Sequence, residues 1–186
     1  MFNEYILKLK SGYFDEKFEE LELNEICKRV GIDKKDIDEI VKKTKFKIEG
    51  AVYYKDKARF FVKGEKDKIG IKVFELSLIS KFIHSHPKGT SFSIKDIELM
   101  LENKISQIVA FNDEYFYSLK IEDFEIEFAD EFVKIYNLYD KILTDKVQRG
   151  KITESQKKFS INHKIWKKLF NKQGAKYEYF RIRKKT

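Results

Sequence analysis

Four residues within a short stretch have the types and spacing to do chemistry together. His84 and His86 stand one residue apart, Pro87 follows directly, and Ser93 and Asp96 come seven and ten positions after His86. Along a strand the side-chain period is two, so both imidazoles point to one face. Pro87 is the only proline of the chain and disfavours a helical conformation at His86, which keeps the pair on extended backbone. Two imidazoles at a strand end with a carboxylate nearby suit a zinc ion. Catalytic zinc takes three protein ligands and leaves the fourth place to water. Ser-x-x-Asp is also a helix-start pattern in which each residue caps the other. The histidine pair gives it a second use: a helix starting beside the strand end carries Asp96 one turn inside, within reach of a metal held by His84 and His86. Ser93 can cap that helix and still turn its hydroxyl toward the site.

The residues His84-Ser85-His86-Pro87 followed by Ser93-Ile94-Lys95-Asp96 resemble the JAMM (MPN-plus, JAB) zinc-peptidase motif, His-x-His-Pro, a short loop, then Ser-x-x-Asp. The resemblance covers 13 residues, and six residues separate His86 from Ser93 where the common form has seven. Members of that family are mostly peptidases and isopeptidases that remove ubiquitin-like proteins; others belong to phage, toxin and DNA-associated proteins. The resemblance implies Zn2+ held by His84, His86 and Asp96. It implies a protein or peptide substrate, ubiquitin-like conjugates included, with Ser93 helping to hold the water and the developing oxyanion. It also implies a glutamate upstream of the histidines that shuttles a proton from the water to the leaving amine, a step worth about 10² to 10⁴ in rate. Glu39 and Glu49 are the candidates. Glu39 lies on a helix four residues before Lys43 and reads as half of a surface ion pair. Glu49 lies in an apolar strand just before Gly50, where backbone can pack closely beside a metal, and is preferred.

Other chemistries lack their residues. Cys27 is the single cysteine, which excludes a disulfide framework and the paired cysteines of a nucleoside-deaminase site, and it reads as a small buried hydrophobe. The chain has no His-Glu-x-x-His helix. His163 reads as a surface or partly buried histidine of a basic helix.

The elements that must position these residues follow from periodicity. Residues 5–10 read as a short strand. Asn24 is a candidate cap for a helix ending at Gly31, and Asp33 caps a second with Ile37, Ile40 and Val41 at helical spacing. This pair lacks a basic face with which to read DNA. Residues 46–54 and 58–63 form a hairpin turning at Lys55-Asp56-Lys57. Residues 69–77 suit a helix behind the sheet, and 78–84 form the strand that delivers the histidines. Ser93 opens the next helix, with Ile94, Ile97 and Leu101 on one stripe. Strands follow at 107–111 and 115–120, helices at 128–148 and 153–172, and a last strand, 177–183, at a sheet edge.

The 186 residues suit one domain with an appendage, and apolar content of 42% with 15% aromatics supplies a core. The expected fold is α/β: a mixed β-sheet with helices on both faces, which the resemblance specifies further as a deaminase-like JAMM core. The expected division is an N-terminal helical segment over 1–45, the JAMM-like core over 46–127, and a helical basic C-terminal segment over 128–186 packed on the core. No uncharged run exceeds eight residues, Ile105 to Asn112, too short for a membrane span. With a reduced cysteine and a poor signal-peptide pattern, a cytoplasmic protein without membrane contact is expected. The net charge of +8 is uneven: residues 1–145 carry 25 basic and 29 acidic side chains, residues 146–186 carry 14 and 2. A basic C-terminal segment points to nucleic acid or an acidic protein as partner. The alternative to a zinc hydrolase is therefore a nucleic-acid-associated or phage- or toxin-system protein with a structural or vestigial metal site.

Overall fold

The computed structural model describes residues 17–66, 69–70, 78–87, 89–122, 129–172 and 175–184. The strand expected at 5–10, and the helix expected over 69–77 from residue 71 on, lie outside them. In chain order the elements are β1 (Glu19–Leu21), α1 (Leu23–Val30), α2 (Lys34–Thr44), β2 (Gly50–Lys55), β3 (Ala58–Lys63), β4 (Ile79–Ser85), α3 (Ile94–Glu102), β5 (Gln107–Phe111), β6 (Tyr115–Lys120), α4 (Ala129–Gln148), α5 (Glu154–Lys172) and β7 (Lys176–Ile182). Among the described residues the seven strands form one mixed sheet in the order β1-β7-β6-β5-β4-β2-β3.

Helices cover both faces of the sheet. On one, Ile26, Cys27 and Val30 of α1 and Ile37 and Ile40 of α2 pack against Val52, Ile83, Val109, Phe111 and Phe116. On the other, Ile97 and Met100 of α3, Ile135 and Leu143 of α4, and Ile165, Trp166 and Phe170 of α5 pack against Ala51, Phe82, Ile108, Ala110 and Tyr117. The period of two sorts these sets: odd and even positions of one strand belong to different cores.

All three segments drawn from the sequence supply strands to this sheet. The basic C-terminal segment is thus built into it: β7 lies second from the edge, pairing antiparallel with β6 and parallel with β1, rather than forming the edge. β1 escapes the sequence patterning because three acid-rich residues carry no alternation. Among the described residues, cations of that segment meet acids of their own chain: Arg149 with Asp145, Lys157 with Asp140, Lys176 with Glu178, Arg181 with Glu20 and Glu114, and Lys184 with Asp113. Part of its excess charge is balanced internally.

The helix caps are local chemistry. α1 is capped by Glu22, which exchanges hydrogen bonds with Glu25, and not by the Asn24 expected from sequence. Asp33 caps α2 by accepting from the Lys35 N–H at 2.9 Å. The strand expected from residue 46 starts only at Gly50, because Lys45 and Phe46 take left-handed backbone angles and turn the chain out of α2. The hairpin turn narrows to Asp56-Lys57, both at positive φ, the two-residue geometry that matches strand twist.

A buried ionic cluster locks α2 to the hairpin. Arg59 Nε donates to Asp36 Oδ1 at 2.7 Å and the Tyr54 hydroxyl to Oδ2 at 2.8 Å. Asp36 is 1% exposed, while Arg59 is a third exposed and also pairs with Glu39. Asp36→Ala strands the Tyr54 phenol without its acceptor and leaves Arg59 with Glu39 alone, and should cost about 2–3 kcal/mol in chemical denaturation, less than a fully buried pair because water reaches Arg59. The cluster sits on the α1–α2 face, so metal binding by the histidines should be unaffected; both are read on the same purified variant.

Candidate metal centre

β4 delivers the histidines. It lies between β2, antiparallel, and β5, parallel, with His84 opposite Ala51 on one side and Ala110 on the other. β4, α3 and β5 form a parallel crossover unit, and the site sits where β4 ends and α3 begins, the carboxyl-end position at which α/β sheets place their ligands.

The three expected ligands come together there. His84 Nε2 lies 2.9 Å from His86 Nε2 and 3.4 Å from Asp96 Oδ1, and His86 Nε2 lies 3.5 Å from Asp96 Oδ2. Donors of a tetrahedral zinc at 2.0–2.1 Å are about 3.3–3.4 Å apart; the two histidine–carboxylate spacings match this, and the 2.9 Å between the imidazole nitrogens is shorter. Imidazole nitrogens with one carboxylate oxygen are a donor set that zinc accepts. His84 is 1% and His86 8% exposed, a cost that imidazoles bear more cheaply neutral than charged.

The ring of His86 has its tautomer set from outside. Its Nδ1 lies 2.9 Å from the Thr90 carbonyl oxygen. A carbonyl only accepts, so Nδ1 carries the hydrogen and Nε2 presents its lone pair to the site. Burial and the neighbouring His84 ring lower the His86 pKa, so the ring is neutral and able to bind a cation. Two ring nitrogens facing each other at 2.9 Å share either a hydrogen or a cation. His84 Nδ1 is buried with no hydrogen-bond partner among the described residues, so that ring is oriented by packing, its centroid 5.0 Å from Phe82.

Asp96 is held by the start of its own helix. Its Oδ2 accepts from the Ser93 N–H and from the Ser93 hydroxyl, both at 2.7 Å, and its N–H donates back to Ser93 Oγ at 3.2 Å. The capping pattern and the candidate ligand are thus the same two residues, and the one hydroxyl proton of Ser93 is directed at Asp96. Burial pushes the Asp96 carboxyl upward, but the His84 and His86 rings and the Ser93 hydroxyl outweigh it and hold the group well below the usual carboxylate range.

The two glutamates separate by face. Glu39 lies on α2, beneath the opposite side of the sheet. Hydrogen bonds from Lys43 and Arg59 hold its pKa down. Glu49 is half-buried, one residue before β2, and its backbone is fastened on both sides: its N–H donates to the Glu65 carbonyl at 2.8 Å and its carbonyl accepts from the Gly64 N–H at 2.9 Å. Alternation places it on the face of Ala51, the His84 face. Continued by two residues, the β2–β4 register sets Glu49 opposite His86.

Gly50 differs from its expected use. A Cβ there would stand 2.5 Å from Thr44 Cγ2, so the missing side chain admits the end of α2 on the opposite face and not a metal. Gly89, at φ +74, is constrained in both conformation and space, since a Cβ there would collide with the Asn112 side-chain amide. Its N–H donates to the His86 carbonyl at 2.8 Å, closing the turn after the histidines.

Sequence reasoning placed His163 at or near the surface, whereas it is fully buried and bonded through Nδ1 to the Tyr177 hydroxyl at 3.0 Å. The signal was present: His163 falls four residues after Phe159, three before Trp166 and seven before Phe170, on one helical stripe. Ser85, between the two histidines, was also missed; its hydroxyl accepts the Gly50 N–H at 3.1 Å and ties the start of β2 to the strand of the histidines. Among the described residues no helix is long and apolar enough to cross a membrane. No protein-family model, curated protein or solved structure matches the chain, so a functional reading rests on the geometry of His84, His86 and Asp96.

Proposed function

We propose that this chain is a zinc-dependent hydrolase of the JAMM type that cleaves a peptide or isopeptide bond, with conjugates of ubiquitin-like proteins as the first substrate class to test. The observation that carries this reading is the convergence of His84 Nε2, His86 Nε2 and Asp96 at the end of β4, with candidate donor atoms all within 4.8 Å of one another. The hairpin, histidine strand, crossover helix and strand pair follow the expected order and support it; the helix expected between the hairpin and the histidine strand lies outside the described residues from residue 71 on.

When bound, zinc supplies a Lewis acid and lowers the pKa of water to about 7. The chain does the rest. His84 and His86 bind as neutral rings and Asp96 as a carboxylate. Glu49, on the histidine face, takes a proton from the attacking water and returns it to the departing amine. Ser93 orients Asp96; to serve a developing oxyanion as well, its hydroxyl proton must turn away from Oδ2.

Elemental analysis of wild-type protein reconstituted with zinc and freed of excess should find about one zinc per chain. Protein that emerges with no bound metal would end the enzyme reading.

A further inference from the structure

The loop between His86 and Ser93 touches the candidate site at one residue and the C-terminal segment at the next two. The Thr90 carbonyl accepts from His86 Nδ1 at 2.9 Å. Ser91 Oγ, fully buried, lies 2.8 Å from the Tyr177 hydroxyl of β7, which lies 3.0 Å from Nδ1 of the buried His163 of α5. The Phe92 carbonyl accepts from Trp166 Nε1 of α5 at 2.7 Å. The Thr90 carbonyl and the Ser91 N–H belong to one planar peptide unit, so anchoring the Ser91 side chain and the Phe92 carbonyl fixes the direction of the Thr90 carbonyl.

We infer that the C-terminal segment braces the metal centre: Tyr177, His163 and Trp166 are positioning residues that, through Ser91 and Phe92, hold the Thr90 carbonyl where it keeps His86 in the Nδ1–H tautomer with Nε2 facing the site. This rests on the reading of His84, His86 and Asp96 as metal ligands. Hydrogen bonds behind a ligating histidine typically change metal affinity 10–100-fold when removed. The brace stands one bond further out, so the lower end applies. The loop contains Gly89 at positive φ, and its described residues between Pro87 and Ser93 belong to no helix or strand, so its conformation is set by what holds it from outside.

Tyr177→Phe removes one oxygen and keeps the ring; Ser91→Ala removes the other partner of the same bond. In metal-free protein, nitrogen-15 NMR of the imidazoles should show His86 as the Nδ1–H tautomer in the wild type and as a mixture in both variants. Competition with a chromophoric chelator should show zinc bound about tenfold more weakly by each variant. Asp36→Ala, on the opposite face, is the control: it should lose stability while keeping the wild-type tautomer and zinc affinity, which separates positioning from general loosening. Variants that retain both the Nδ1–H tautomer and the wild-type zinc affinity would overturn the brace. A wild type that binds no zinc overturns the metal reading, while the tautomer comparison still decides whether the C-terminal segment positions His86.

Discussion

Glu49→Gln should lower hydrolysis by about 10² or more while the protein folds normally and keeps one zinc per chain. The amide has the shape of the carboxyl but takes no proton at neutral pH, and Glu49 is not required as a ligand because two imidazoles, Asp96 and a water complete a tetrahedron. Glu39→Gln is the comparison. Glu39 lies under the other face of the sheet, tied to Lys43 and Arg59, so its change should leave zinc and rate alone apart from a small loss of stability. The measurement needs a cleavable substrate, found by screening ubiquitin-like fusions and peptide libraries against the wild type. A Glu49→Gln protein that cleaves at the wild-type rate removes Glu49 from the mechanism. A dead Glu39→Gln protein would mean that α2 lines the active site, against its place in the fold.

The second large effect is loss of the metal. His84→Ala or His86→Ala should take zinc content from about one per chain to none after gel filtration. Water cannot replace a neutral imidazole at a three-ligand site, because it is a weaker donor and is not held in place. The two variants should differ in the apo protein. His86→Ala removes the ring that bonds to the Thr90 carbonyl and so frees the loop after Pro87; His84→Ala opens a cavity between Ala51 and Ala110 on the strand itself. Truncating a buried ring costs about 3–5 kcal/mol for Phe and Trp, and His84, held by packing rather than by a bond at Nδ1, should be the more destabilising loss in thermal unfolding. Zinc retained by either variant would remove that histidine from the ligand set.

The elements are most legible in the sequence where local rules act alone. Strands 58–63, 107–111 and 115–120 fall at the expected residues, since turn residues bound each one. The Ser93 cap is legible for the same reason: a hydroxyl and a carboxylate three residues apart satisfy the first turn of a helix whatever surrounds them. The start of β2 differs from its expected place because the apolar character of Phe46 and Ile48 continues across a turn. Two left-handed residues make that turn, and neither is a glycine that would announce it. β1 is hidden in the sequence because its partner among the described residues is β7, more than 150 residues later, and no alternation marks it.

What the sequence by itself determined is the class of fold, a mixed sheet with helices on both faces, and the residue types of a candidate metal site on one short stretch. Hydrophobic period, caps and turns are properties of neighbouring residues and survive without the fold. What only the tertiary structure decided is relation across distance. It set Glu39 beneath the face opposite His84, since α2 packs on Val52 and Ile83. It turned Gly50 toward α2 rather than toward the histidines. It drew His163, Trp166 and Tyr177, more than 70 residues from the loop they hold, in behind His86. Those contacts exist because the C-terminal segment inserts β7 beside β6 and lays α5 over the same face, and no spacing within the histidine stretch encodes that partner.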